Sequence, residues 1–164
     1  MLICIEGCDK QGKSSLAQHL KEITGFKIIK FSAPKTSAYI EMMEYLLNER
    51  GNAILDRAWC GEEVYGPIYR GHGFENWQFK VIEEVAKLKR VLPILCQTDN
   101  VKGTAKRFEE ENETFAQVKH IKKIFKEFDK VTKRSIFTWS KFNFEKDKNY
   151  KNIDRLVKTW VKDI

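Results

Sequence analysis

The chain lacks any apolar run close to the roughly 18 residues that a membrane-spanning helix needs, so no membrane partner is expected. Its start, Met-Leu-Ile-Cys-Ile-Glu, has neither a basic n-region nor a cleavage signature, and no signal peptide is expected. Cysteine is sparse: Cys4, Cys8, Cys60 and Cys96 form no CxxC pair, and three of them follow or end apolar runs. That argues against disulfides and for a reducing, cytoplasmic setting. Histidine is sparser still, and His19, His72 and His120 show no zinc-ligand spacing. No low-complexity linker or internal repeat interrupts the 164 residues, which suggests one domain over residues 1–164. Acidic residues are outnumbered 23 to 30 by basic ones, a formal charge of +7. Such a balance favours polyanionic partners. Nucleotides suffice to explain it, nucleic acid is permitted but less favoured, and lysines that merely solvate helices account for part of it.

What is present is an alternation of short apolar strands and longer amphipathic helices. Leu2 to Ile5 reads as a buried strand, and Lys13 to Thr24 as a helix closed by Gly25. Ile28 to Phe31 reads as a second strand, and Tyr39 to Leu47 as a helix. Ala53 to Leu55 is a third strand, running into Asp56-Arg57. The aromatic and glycine-rich stretch Ala58 to Gly73 looks too irregular for one element and is expected to be a functional loop. Trp77 to Arg90 is a helix and Val91 to Cys96 a strand, with Pro93 expected near its beginning because proline cannot donate to a ladder. Thr98-Asp99-Asn100 looks like a cap for a short helix through Phe108. A long helix follows from Val118 to Val131, then a fifth strand at Ile136 to Trp139 and a closing helix around Ile153 to Val161. This order predicts an α/β fold, a parallel sheet covered by helices on both faces. The apolar helix stripes are core and carry no chemistry.

Gly7-Cys8-Asp9-Lys10-Gln11-Gly12-Lys13-Ser14 fits the phosphate-loop pattern GxxxxGK[ST], with Ser15 next and with a strand before and a helix after. The glycines let the backbone curl so that N–H groups point at phosphate oxygens, and the helix N-terminus adds partial positive charge. In this pattern Lys13 reaches the β- and γ-phosphates and the Ser14 hydroxyl ligates Mg²⁺. Asp56 ends the third strand, where P-loop proteins place a magnesium-associated acid. Arg57 beside it would project into the same crevice, outside the carboxyl ends of the strands. The expected ligands are therefore ATP and Mg²⁺.

Ile5-Glu6-Gly7-Cys8-Asp9-Lys10-Gln11-Gly12-Lys13-Ser14-Ser15 and the pair Asp56-Arg57 resemble the EGxDxxGKST and DR motifs of the thymidylate kinase family of nucleoside monophosphate kinases. The compact run Asp-Arg-Ala-Trp-Cys-Gly-Glu-Glu-Val-Tyr-Gly-Pro is similar to bacteriophage-type members, whose cytoplasm would be the host's. The resemblance implies a three-layer P-loop NTPase fold with a five-stranded parallel sheet flanked by helices, and phosphorylation of dTMP to dTDP by ATP. It implies that Asp9 contacts the acceptor's sugar hydroxyl and that Arg57 binds its phosphate. Lys10 takes the place of a P-loop arginine, and Arg107 lies in a lid at about residues 100 to 117. A homodimer is implied as well. Where the family carries Arg-Glu-Pro after the second strand, this chain has Ser32-Ala33-Pro34, with Lys35 the nearest positive charge. Trp59 to Arg70 is expected to line the acceptor site. Trp59, Tyr65 and Tyr69 can stack on a base, Glu62 or Glu63 can meet polar groups, and Arg70 a phosphate. The catalytic set is then Lys13, Arg57, Lys10 and Arg107.

Three other functions fit parts of the pattern. A deoxynucleoside kinase is the nearest, although those enzymes typically carry Glu-Arg-Ser after the third strand and this chain has Asp56-Arg57-Ala58. A kinase acting on a DNA end or a modified-base hydroxyl would use the positive charge and the aromatics. A non-catalytic nucleotide switch would need the phosphate loop but no acceptor-side arginine.

Overall fold

Every residue of β1 (Leu2–Glu6) is buried, as a strand flanked on both sides and covered on both faces must be. The computed structural model describes residues 1–32, 34, 37–110 and 118–162. After β1 come α1 (Lys13–Thr24), β2 (Lys27–Lys30), α2 (Ala38–Asn48), β3 (Ala53–Asp56), α3 (Cys60–Tyr69) and α4 (Asn76–Lys87). Then follow β4 (Val91–Cys96), α5 (Val101–Glu110), α6 (Ile121–Arg134), β5 (Ser140–Phe142) and α7 (Lys151–Lys162). Among the described residues the five strands form one parallel sheet in the order β2-β3-β1-β4-β5. This is the three-layer α/β fold that the alternation predicted.

Strand periodicity sorts the core into two faces. Leu2 and Cys4 of β1, with Leu55 of β3 and Leu95 of β4, pack against Met42, Leu46, Ile82, Phe108, Ile124 and Phe128. Ile3 and Ile5, with Ile54 and Ile94, pack against Leu16, Leu20, Ile153 and Val157 of α1 and α7. Each such side chain removed from water contributes about 1.5–3 kcal/mol before entropy is counted. Pro93 sits third in β4, opposite Cys4. Leu2 N–H donates to Arg90 O, and alternation along the strand then turns the Pro93 nitrogen toward β5. That strand begins only opposite Ile94, so no ladder bond is lost.

Two expectations are corrected. Ala58 to Gly73 is not an irregular loop, because Cys60–Tyr69 is helical with Pro67 inside it. The helix is nucleated from outside its own sequence. The buried carboxylate of Glu6 accepts from Ala58 N–H and Gly61 N–H, both at 2.9 Å, occupying N–H groups that a helix start leaves open. Val64 and Tyr65 then face the core. Gly66 permits the return of the chain, since a Cβ there would stand 2.3 Å from His72 O. The fifth strand is also displaced, to Ser140–Phe142 rather than Ile136 to Trp139. Ser135 Oγ and Ile136 N–H donate to the buried carboxylate of Glu83 instead of to a ladder, and Ile136 is left exposed. No described helix is long and apolar enough to cross a membrane.

Candidate nucleotide-binding and phosphoryl-transfer site

The strand order places the carboxyl ends of β1, β3 and β4 side by side, and the site is built at and just beyond the ends of β1 and β3. Gly7 leaves β1 at φ 138, pressed against β4 so closely that a Cβ would lie 2.1 Å from Cys96 O. Only glycine meets both demands. Lys10 (φ 59) and Gly12 (φ 76) also take the left-handed conformation that curls the loop. Gly12 is the N-cap of α1, with no side-chain cap and no acidic residue in the first turn. The first N–H groups of α1 are thus offered to an anion.

Lys13 Nζ sits at the centre of the loop, donating to Gly7 O at 2.9 Å and Cys8 O at 2.7 Å. It also pairs with Asp9 Oδ1 at 3.2 Å. Arg57 Nη2 donates to that same oxygen at 2.8 Å, and Asp9 N–H donates to the Tyr65 hydroxyl at 3.1 Å. Burial would raise the Asp9 carboxyl, but the charges of Lys13 and Arg57 outweigh it and hold the group below the usual carboxylate range. The Cys8 thiol is pushed up to about 12 by burial, so it stays a neutral, inert wall of the loop. Gln11 is fully buried and Ser15 exposed on the first turn of α1.

Ser14 Oγ donates to Asp56 Oδ2 at 3.0 Å. Asp56 is buried, and its Oδ1 has no hydrogen-bond partner among the described residues. A buried oxygen without a donor beside a serine hydroxyl fits a hard cation such as Mg²⁺. Among the described residues no cluster of three His, Cys, Asp or Glu side chains is placed to hold a metal. An ion here would lean on phosphate oxygens and water as much as on protein, as Mg²⁺ does.

Beyond Asp56, Arg57 is held at φ 70, a conformation non-glycine residues seldom adopt. The turn aims its guanidinium into a mostly apolar cleft of about 190 Å³. Phe31, Met42, Ala58, Tyr65 and Phe74 form the walls, with Glu41, Glu62 and Arg70 as polar groups. Arg70 is ion-paired to Glu62. Arg57 Nε is buried without a partner among the described residues.

Residues singled out from the sequence divide here. Asp9, Lys13, Ser14, Asp56 and Arg57 converge on one point, and Tyr65 and Arg70 line the cleft. Trp59 does not: its ring is fully buried, with Nε1 donating to Glu83 at 3.3 Å. It precedes α3 as the N-cap residue and is packed into the core there. Tyr69 is not among the cleft residues; it packs against Tyr65 and His120. Glu63 accepts from Phe74 N–H and pairs with Arg134. Arg107 donates to Glu145 at 3.0 Å. Lys35 and the stretch 111–117 of the expected lid lie outside the described residues. Sequence reasoning missed the cleft's other wall, because Phe31, Met42 and Phe74 read as core and Glu41 as an ordinary acidic residue in the first turn of a helix.

No protein-family profile and no curated protein matches the chain. Solved structures do. The YorR protein of Bacillus subtilis, in complex with phosphorylated GDP, overlays with a TM-score of 0.81 at 21% identity, covering 96% of each chain. A deoxyadenosine kinase from M. mycoides with bound dATP overlays at 0.64 and 14% identity, over 95% of this chain and 99% of that one. The shared fold is that of P-loop kinases. A thymidylate kinase from Ehrlichia chaffeensis, 15% identical over 88% of this chain and 93% of that one, reaches a TM-score of only 0.41.

Proposed function

We propose that this protein transfers the γ-phosphoryl group of ATP to the phosphate of a deoxynucleoside monophosphate held in the cleft, with dTMP the first candidate. The carrying observation is Arg57. It is a strained arginine between the phosphate loop and the cleft, with one N–H committed to Asp9 and the buried Nε without a partner among the described residues. A guanidinium so placed binds phosphate with its fork. Mg²⁺, held by Ser14 and Asp56, would neutralise charge on the β- and γ-phosphates.

In this reading the loop amides and Lys13 hold the donor phosphates. Arg57 aligns the acceptor, and Asp9 receives its sugar hydroxyl. An acceptor phosphate oxygen bonds to the γ-phosphorus as the bond to the β–γ bridging oxygen breaks, giving ADP and the nucleoside diphosphate. Lys10 and Arg107 offset charge on the transferring group. Alignment and charge neutralisation supply most of the acceleration for this chemistry.

A second reading, phosphorylation of a deoxynucleoside, is favoured by Glu41 and Glu62, carboxylates in the same cleft that would suit a hydroxyl acceptor, and by the deoxyadenosine kinase fold. A transfer assay from γ-labelled ATP separates the two. It offers dTMP, dGMP, dAMP and dCMP, the four deoxynucleosides, and DNA. Label on a monophosphate, lost in Lys13→Ala, is the expected result. Label on nucleosides alone establishes the second reading, and label on none of these acceptors overturns both.

A further inference from the structure

Five side chains from four separate segments close a hydrogen-bonded ring beside the phosphate loop. Thr98 N–H, just past β4, donates to Gln11 Oε1 at 2.8 Å. Gln11 Nε2 donates to Thr104 Oγ1 on α5 at 2.9 Å. Arg107 Nη2, one turn further along α5, donates to the same hydroxyl at 3.1 Å. Arg107 Nη1 donates to Glu145 Oε1 at 3.0 Å, in the turn between β5 and α7. Thr98 Oγ1 donates to Glu145 Oε2 at 2.6 Å and closes the circuit. The Thr104 hydroxyl is saturated, because its own proton goes to Asn100 O at 3.0 Å.

The ring is buried where it meets the loop. Gln11 and Thr104 are fully buried and Thr98 is 2% exposed. The phosphate-loop pattern leaves position 11 open, so the motif alone does not require an amide there. A buried amide left unpaired is costly, and here both ends of the Gln11 amide are paired. Glu145 is held below the usual carboxylate range by the Thr98 hydroxyl first, against burial, and then by Arg107. The Arg107 guanidinium lies 5.0 Å from the ring centre of Phe144. Phe144 in turn backs onto Gly12, where a Cβ would meet it at 3.4 Å. The guanidinium is thus held by three groups, Thr104, Glu145 and Phe144, and each reaches the tip of the phosphate loop directly or through Thr98.

We infer that Gln11 and Thr104 are positioning residues that set where Arg107 stands relative to the phosphate loop, and so tie the α5 segment to the state of the loop. The inference rests on the reading of Arg107 as a group that meets the transferring phosphoryl. Displacing such a group by about 1 Å costs on the order of 100-fold in rate. A shared hydroxyl is a short lever: Thr104 Oγ1 touches both the Gln11 amide and the guanidinium.

The test is a double-mutant cycle between Thr104→Val and Arg107→Ala, read in turnover and in MgATP affinity. Gln11→Met and the partly exposed Glu145→Gln are further arms should Thr104→Val not fold. Thr104→Val and Gln11→Met are expected to lower kcat about 10- to 100-fold with the acceptor KM within about threefold of wild type. Thr104→Ser, which keeps the hydroxyl, restores kcat to within about threefold. In Arg107→Ala the second substitution has no further effect, because the residue through which it acts is gone. Additive losses in both readouts, or wild-type kinetics in Thr104→Val, overturn the inference. If wild type labels no acceptor, the reading under the previous heading fails by itself. The ring then stands on non-additive MgATP affinities and falls on additive ones.

Discussion

Arg57 Nη2 stands 2.8 Å from Asp9 Oδ1, and Lys13 Nζ holds that same oxygen at 3.2 Å. One carboxylate oxygen thus joins the end of β3 to the loop after β1 and neutralises two cations that would otherwise repel. Removing it leaves the buried Lys13 ammonium and the partly exposed Arg57 guanidinium short of a partner. Asp9→Asn is expected to lose about 1–3 kcal/mol at pH 7, read from urea midpoints. The folded carboxyl is depressed, so its stabilisation is present above the unfolded value near 4 and is lost as pH falls through the lower folded value. The gap between wild type and Asp9→Asn should therefore close on acidification below about pH 4. A gap independent of pH would contradict this account.

Arg57→Lys keeps the charge but not the fork. The expected outcome is a fall in kcat/KM of roughly 100-fold, carried mainly by the acceptor KM, while MgATP affinity changes by less than about threefold. Steady-state kinetics with each substrate varied in turn would check it. An unchanged acceptor KM would remove Arg57 from the acceptor's phosphate.

Ser14→Ala and Asp56→Asn both act on the site fitted to Mg²⁺. Each should raise the Mg²⁺ concentration needed for half-maximal transfer by about tenfold or more, with the larger effect from Asp56→Asn because it removes the charge. Magnesium titrations at fixed ATP measure this directly.

Trp59 separates packing from binding. Trp59→Phe should lower stability by about 1–3 kcal/mol through the cavity it leaves and the Glu83 acceptor it abandons. It should leave the acceptor KM within about twofold. Phe74→Ala, on the cleft wall, should do the reverse and raise the acceptor KM. Thermal melts and initial rates on the two variants decide between a core and a stacking role for the indole.

The local parts of this protein were written in its sequence. Gly7, Gly12 and Lys13 set the loop because their demands are met within eight residues: positive φ, close approach and a helix start. The buried β1 and the helix Lys13–Thr24 were equally legible, since a short apolar run and a 3.6 period need no distant partner to be seen. Asp56 and Arg57 could be placed at a strand end for the same reason. Only the tertiary structure decided the rest. Glu6 reaches across the sheet to start α3, and Glu83 diverts Ile136 from the fifth strand. Both are long-range bonds from buried carboxylates, and neither leaves a periodic trace. Trp59 is buried at the start of α3 while Tyr65 within it lines the cleft, a division set by that helix and not by aromatic content. The ring through Gln11, Thr104 and Arg107 spans up to 134 positions between Gln11 and Glu145. A chain brings such residues together only by folding, because the hydrogen bonds that join them act over about 3 Å.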